Sequence, residues 1–294
     1  MKKVAVLILC YKNAKQVNLL INQFDENLYD IYIHCDLKMN DNSDILKKNN
    51  VYICNKRLDV KWAHISTVLA ELELLRLANE KDYIYYWLVS GQDLLIKSSR
   101  IAYEFLNEHY GSNYFKIVDE DLHKFLKRNE VFYPSFLVKN VFLIKIIRNF
   151  YLILTGGKRH TFKIFKRKFS TRYDFSFSSE FFTITKGAVN TIFKFLNENP
   201  DYIKEFSLSI CPDECFFSTI IKNSPLKNTM TNDNLLYVDF SEGGPNPKVL
   251  KIGEYKKMMN SKYFIARKFD INVDNDIINK IIAEVTYGEH IFKG

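Results

Sequence analysis

The sequence predicts an α/β fold built on a mostly parallel sheet. Three observations carry this: short unbroken apolar runs recur, helical patterns separate them, and polar residues close each run at its carboxyl end. Val4–Leu9 is the first run, rich in β-branched residues and read as a buried strand. A helical pattern through Val17, Leu19, Leu20 and Ile21 follows it. "DIYIHCD" (30–36) and "VYIC" (51–54) are the second and third strands. A helix over Ser66–Ala78 sets Val68, Leu69, Leu72, Leu75 and Leu77 at overlapping i, i+3 and i+4 positions. "YIYYWLVS" (83–90) is the fourth strand, with "SGQD" at its carboxyl end. A helix near Ile101–His109 and the strand "NYFKIV" (113–118) come next. "FSSEFFTITKGAVNTIFKFL" (177–196) reads as a strand, a turn at Lys186–Gly187 and a helix. "SICPDECFFSTIIKN" (209–223) reads as a turn opening a helix. Pro212 is early in that helix, and Asp213 and Glu214 stand in its first turn, where carboxylates suit the helix dipole. "LLYVDF" (235–240) is a strand, and "SEGGPNPKVL" (241–250) is turn chemistry.

Composition narrows the class. Of 294 residues, 47% are hydrophobic and 26% charged, which excludes disordered and fibrous chains. With only six prolines and ten glycines, no linker stands out, and residues 1–294 are read as a single domain. Within it, about 122–170 reads as a basic, aromatic helical insertion. "FLVKNVFLIKIIRNFYLIL" (136–154) scatters Lys139, Lys145 and Arg148 through an apolar stretch, and "GGKRHTFKIFKRKF" (156–169) stacks bases among aromatics. Packed helices with a basic loop account for this pattern, and so does peripheral contact with a membrane surface. No apolar stretch approaches the ~20 residues of a spanning helix. Forty-two Lys and Arg against 34 Asp and Glu leave a net charge of +8, which favours anionic partners. The charge forms no tail, so nucleic acid is not the expected partner. Five cysteines (10, 35, 54, 211, 215) lack a second CxxC-like pair, so no zinc site is expected, and they read as reduced thiols of a cytosolic chain.

Parallel sheets bind ligands beyond the carboxyl ends of their strands, which points to Asp36, Gln92 and Asp93. The sequence shows no P-loop, GxGxxG, GxSxG or HExxH pattern. The carboxylates of "PDE" (212–214) serve either as helix caps or as a base for an attacking hydroxyl. Lys248, Arg267 and Lys268 are either solvated charge or a clamp for a diphosphate leaving group.

Eight segments, taken in order, resemble the core-2/I-branching β-1,6-N-acetylglucosaminyltransferase family, which includes the peptide O-xylosyltransferases. They are "LILCYKN" (7–13), "IYIHCDLK" (31–38), "WAHIST" (62–67), "WLVSGQDLLIKS" (87–98), "FSSEFFTITKGAV" (177–189), "CPDECFFSTI" (211–220), "YVDFSEGGPNPKVL" (237–250) and "FIARKFD" (264–270). The resemblance implies a GT-A-like (Rossmann-like) glycosyltransferase fold and inverting transfer from a UDP-sugar without a divalent metal. The sugar implied is GlcNAc, with xylose the other candidate. By motif match, Glu214 is the general base and Lys248 and Lys268 stabilise departing UDP, with Arg267 beside them. His34, Asp36 and Trp62 fall on nucleotide contacts, and Ser90 to Asp93, including Gln92, lie where metal-dependent relatives carry DxD. Ser179 and Glu180 match the acceptor side, although many bacterial relatives have Gln and Trp at positions 180 and 181.

A metal-dependent reading rests on Asp119 and Asp121 after the strand "NYFKIV"; Asp274 and Asp276 form a second DxD match. A non-catalytic nucleotide-sugar or glycan binder of the same fold is the other alternative. The family's animal members carry an N-terminal anchor and disulfides, patterns not seen here. The expectation is therefore a bacterial cytoplasmic enzyme, peripheral on the inner face of the membrane, that acts on a glycan or lipid-linked oligosaccharide in polysaccharide biosynthesis.

Overall fold

The computed structural model describes residues 2–39, 42–123, 126, 142–154, 172–244 and 246–287. Its first half alternates strand and helix: β1 (Val4–Cys10), α1 (Ala14–Asn22), β2 (Tyr29–Cys35), β3 (Val51–Ile53), α2 (Ser66–Ala78), β4 (Tyr85–Ser90), β5 (Asp93–Leu95), α3 (Ser99–Glu108) and β6 (Asn113–Ile117). After α4 (Phe142–Leu154) come β7 (Ser178–Thr185), α5 (Lys186–Glu198), α6 (Asp201–Phe206) and α7 (Phe216–Lys222). The chain closes with β8 (Met230–Asn232), β9 (Leu236–Val238), α8 (Tyr255–Met259), β10 (Ile265–Arg267) and α9 (Asn275–Ile282).

Seven strands form the main sheet in the order β3-β2-β1-β4-β7-β6-β8. β3, β2, β1 and β4 are mutually parallel, β7 runs antiparallel to both β4 and β6, and β8 is parallel to β6. This is the α/β architecture with a mostly parallel sheet that the sequence predicts. β1 explains why its run is unbroken: Val4 to Ile8 are fully buried, as in a strand covered on both faces. Trp87 on β4 is buried in the same core, with Phe24 packed edge-on at 6.3 Å. A small sheet, β5-β10-β9, lies alongside. Its β5 follows β4 within the "SGQD" segment, so both sheets meet there.

Caps agree with the sequence. Ser98 accepts from the Ile101 amide at the start of α3, and Thr185 accepts from the Ala188 amide at the start of α5. The region around Pro212 departs from expectation. Pro212–Glu214 is a separate 3-10 turn, and α7 begins only at Phe216. Cys211 adopts a left-handed conformation (φ 51°), and its amide is bonded to the Ala63 carbonyl (3.0 Å). The break at Cys215 (φ −138°) then keeps Glu214 out of α7. Of the insertion expected over 122–170, residues 122, 123, 126 and 142–154 are described; the remainder lies outside the described residues.

Candidate functional site

A cavity of about 680 Å³ opens at the carboxyl ends of β1, β2 and β4. Cys10, Tyr11 and Lys12 line it from β1 and the loop beyond, His34, Asp36 and Lys38 from the end of β2, and Ser90, Gly91 and Gln92 from the end of β4. Because β7 is antiparallel to β4, its amino end reaches the same edge and delivers Ser179, Glu180 and Phe181. The 3-10 turn adds Asp213 and Glu214, and the end of β10 adds Arg267 and Lys268.

The turn after β4 is tightly fitted. A Cβ on Gly91 would stand 2.8 Å from Val17 Cγ2 and 3.0 Å from Cys10 Cβ, so only glycine lets this turn lie against β1 and α1. Ser90 Oγ donates to Asp93 Oδ1 (2.9 Å), and the Ser90 amide donates to Asp93 Oδ2 (2.8 Å). Gln92 Nε2 donates to the Phe269 carbonyl (3.2 Å), and its Oε1 accepts from the Tyr11 hydroxyl (3.1 Å). Asp93 itself is fully buried and does not line the cavity, so its place is structural support. Burial raises its carboxyl pKa, opposed by the Arg267 guanidinium and the Ser90 bonds.

His34 and Asp36 are also held from behind. The Leu58 amide donates to His34 Nε2 (3.1 Å), and burial lowers the imidazole pKa, which favours the neutral ring. Asp36 accepts from the Lys38 ammonium (2.7 Å), the Lys38 amide (2.8 Å) and the Val60 amide (3.2 Å). Trp62 lies on the cavity wall with its side chain 55% exposed, a free aromatic face. Ser179 Oγ accepts from Asn234 Nδ2 (2.9 Å).

The cations divide into two sets. Arg267 lies over the Phe181 ring (4.0 Å to the centroid), with Nε 3.6 Å from Asp93 Oδ1. Its Nε and Nη1 are buried without a hydrogen-bond acceptor among the described residues. Lys268 has its pKa lowered by burial first, then by Arg267 and Lys12, with only Asp270 opposing. An anion between these groups would satisfy both. Lys12, which the sequence reading did not single out, is tied to Asp270 at 2.7 Å. Lys248 lies elsewhere: Asn246 and Pro247 line the cavity, but the Lys248 ammonium turns to Glu254 (2.8 Å) and is not among the lining groups.

Carboxylates also gather at the cavity. Glu180 has its pKa raised by burial, with Arg267 opposing and Asp93 and Glu214 adding to the rise. Behind them Glu71, on α2, is 1% exposed, and neither of its oxygens has a hydrogen-bond partner among the described residues. Burial, then Glu180 and Asp213, push its pKa well above the usual carboxylate range. The folded chain therefore holds a proton that the unfolded chain releases. The stability linked to it is complete below the ordinary glutamate pKa and is lost as pH rises toward the folded value. Glu71→Gln keeps the shape and removes the titration. As pH rises above the ordinary glutamate range, the wild-type unfolding free energy should fall relative to the variant's, with a limiting slope of about 1.4 kcal/mol per pH unit and a matching drop in melting temperature. Parallel melting curves would show that Glu71 does not titrate in this way.

Neither DxD match lines the cavity. Asp119 Oδ1 accepts from the Phe177 amide (2.9 Å) and Oδ2 faces Lys222 (3.5 Å), so it ties the loop after β6 to the segment before β7. Asp274 caps α9 through the Asp276 and Ile277 amides. Among the described residues no group of three His, Cys, Asp or Glu side chains is arranged to hold a metal ion. No disulfide joins any of the five cysteines.

The family model "Branch: Core-2/I-Branching enzyme" matches residues 4–263. Xylosyltransferase 1 of Rattus norvegicus is 20% identical over 310 residues, covering 97% of this chain and 35% of the relative. The chain thus spans about a third of the length of that curated relative.

Proposed function

We propose that this chain, which belongs to the Core-2/I-branching enzyme family, is a glycosyltransferase that moves a sugar from a UDP-sugar to a glycan hydroxyl. The observation that carries the reading is that one cavity is lined by Glu214, by Arg267, whose Nε and Nη1 lack an acceptor among the described residues, and by Lys268, whose pKa burial and neighbouring cations lower. The volume suits a nucleotide sugar.

In this reading the acceptor oxygen attacks the anomeric carbon while Glu214 takes its proton. The bond from that carbon to the UDP oxygen breaks, and its electron pair leaves with the diphosphate. Arg267 offers a fork and Lys268 a point charge to the growing negative charge. A single displacement inverts the anomeric centre and yields a β-linked product. Trp62 offers a face for the uracil ring, with His34, Asp36, Ser90 and Gln92 shaping the donor side. Ser179 and Glu180 face the acceptor. Lys248, engaged with Glu254 away from the cavity, has no part in it.

We assign the leaving-group charge to side chains rather than to a divalent ion. Asp119 is taken up by structural bonds and lies off the cavity, which supports this assignment. UDP release measured against UDP-GlcNAc, UDP-xylose and other UDP-sugars, with and without EDTA, tests both parts. We expect release from one donor, UDP-GlcNAc or UDP-xylose, at a rate unchanged by chelation. Loss in EDTA with recovery in Mn²⁺ would transfer the charge to a metal, and no release from any donor would defeat the transferase reading.

A further inference from the structure

We infer that Asn234 binds a hydroxyl of the acceptor sugar other than the one that attacks, and so helps decide which acceptor is used. The inference rests on the transferase reading. Asn234 lies between β8 and β9, where the chain leaves the main sheet for the small one. The crossing is a tight turn. The Asp233 amide donates to the Thr231 carbonyl (2.8 Å), and the Leu235 amide donates to Asp233 Oδ1 (2.9 Å). Leu235 takes the left-handed conformation (φ 61°), uncommon for a leucine, and its carbonyl accepts from the Phe264 amide (3.2 Å). The Lys262 ammonium pairs with Asp233 Oδ2. Both flanks of the turn are thus fixed, and its middle residue is a polar side chain, 5% exposed, that lines the cavity.

A buried carboxamide needs partners. Asn234 Nδ2 donates to Ser179 Oγ (2.9 Å), which sets the orientation of the group. Ser179 Oγ is set in turn toward the Phe181 carbonyl (3.5 Å), so its hydroxyl is engaged on both sides. The second N–H of Asn234 and its Oδ1 meet no partner among the described residues. They leave one donor and one acceptor side by side at the cavity, without charge. A sugar hydroxyl, or a vicinal pair of them, satisfies that set.

The strand order decides which sugar is meant. Residues assigned to the donor come from the ends of β2 and β4 and from Trp62. Asn234 is tied to β7, on the other side of β4 from β2. It therefore borders the face that Ser179 and Glu180 turn to the acceptor.

Kinetics with the preferred UDP-sugar test it, using methyl β-glycosides of glucose, galactose and their 2-acetamido derivatives, and the monodeoxy analogues of the one accepted. In the wild type, one analogue that keeps the attacking hydroxyl should lose about tenfold or more in kcat/KM. Asn234→Ala should raise KM for the parent glycoside by a similar factor and use that analogue as well as the parent, with KM for the UDP-sugar within about twofold. A general loss of stability would not equalise the two acceptors; Asn234→Ser is read in the same way if the alanine variant melts lower. The same pattern of deoxy losses in wild type and variant would overturn the inference. So would a rise in KM confined to the UDP-sugar, or a wild type that releases UDP yet uses none of the glycosides. Those results leave the transferase reading standing, whereas no UDP release from any donor would end both.

Discussion

Glu214→Gln is expected to lower kcat by about 10²–10⁴ while leaving UDP affinity within a factor of two or so. Glutamine keeps the volume and the polar contacts of the 3-10 turn but cannot accept a proton as the acceptor oxygen attacks. The turn is independently fixed by the Cys211–Ala63 backbone bond and by Pro212, so the substitution leaves its position intact. Steady-state kinetics with the preferred donor, paired with calorimetric titration of UDP, separate the two quantities. Full turnover by the variant would remove Glu214 from proton transfer and turn attention to Asp213 or Glu180 on the same wall. Loss of UDP binding in parallel with turnover would place Glu214 on the donor instead.

Lys268→Ala should lower kcat by about 10²–10³, and Arg267→Ala by a similar factor, the scale of removing one group that stabilises developing charge. The two are not equivalent. Arg267 is stacked on Phe181 and braced by Asp93, so its truncation also leaves a buried carboxylate without its cation. Lys268 is more weakly braced, and its replacement reads the leaving-group contribution more cleanly. Its pKa is held down by burial, Arg267 and Lys12, so a bound diphosphate should raise it and draw in a proton at alkaline pH. Equal rates for Lys268→Ala and wild type would assign the diphosphate charge elsewhere. As a control, Lys248→Ala should retain wild-type turnover, since that ammonium is paired with Glu254 off the cavity.

Much of the scaffold was legible because its signal is local. β1, β2 and β4 are apolar runs because each is covered on both faces, and polar residues close them where the cavity begins. The motifs that border the cavity could be placed by order along the chain. What escaped depends on contacts between distant segments. The turn at Pro212 looked like the start of a helix, because the left-handed Cys211 and its bond to Ala63 do not show in neighbouring residues. Lys248 resembled a phosphate ligand by its place in a proline turn, yet Glu254 captures it from the next segment. Asp93 sits in "SGQD" beside cavity residues, but β5 is buried throughout and Ser90 and Arg267 hold its carboxylate in the core. Glu71 passed unnoticed on an amphipathic helix; its burial against Glu180 and Asp213 exists only in three dimensions. Lys12 gave one missed clue, standing two residues past the end of the first strand.

The reversed direction of β7 has an implication for how such enzymes diversify. One contiguous span, from Ser179 to Glu214, furnishes the wall we assign to the incoming alcohol, whereas the nucleotide's contacts come from segments before and after it. Selection can therefore rewrite the cavity-facing positions of that span, and with them the choice of recipient, so long as Phe181 stays beneath Arg267. Grafting it between relatives is a direct route to new linkages.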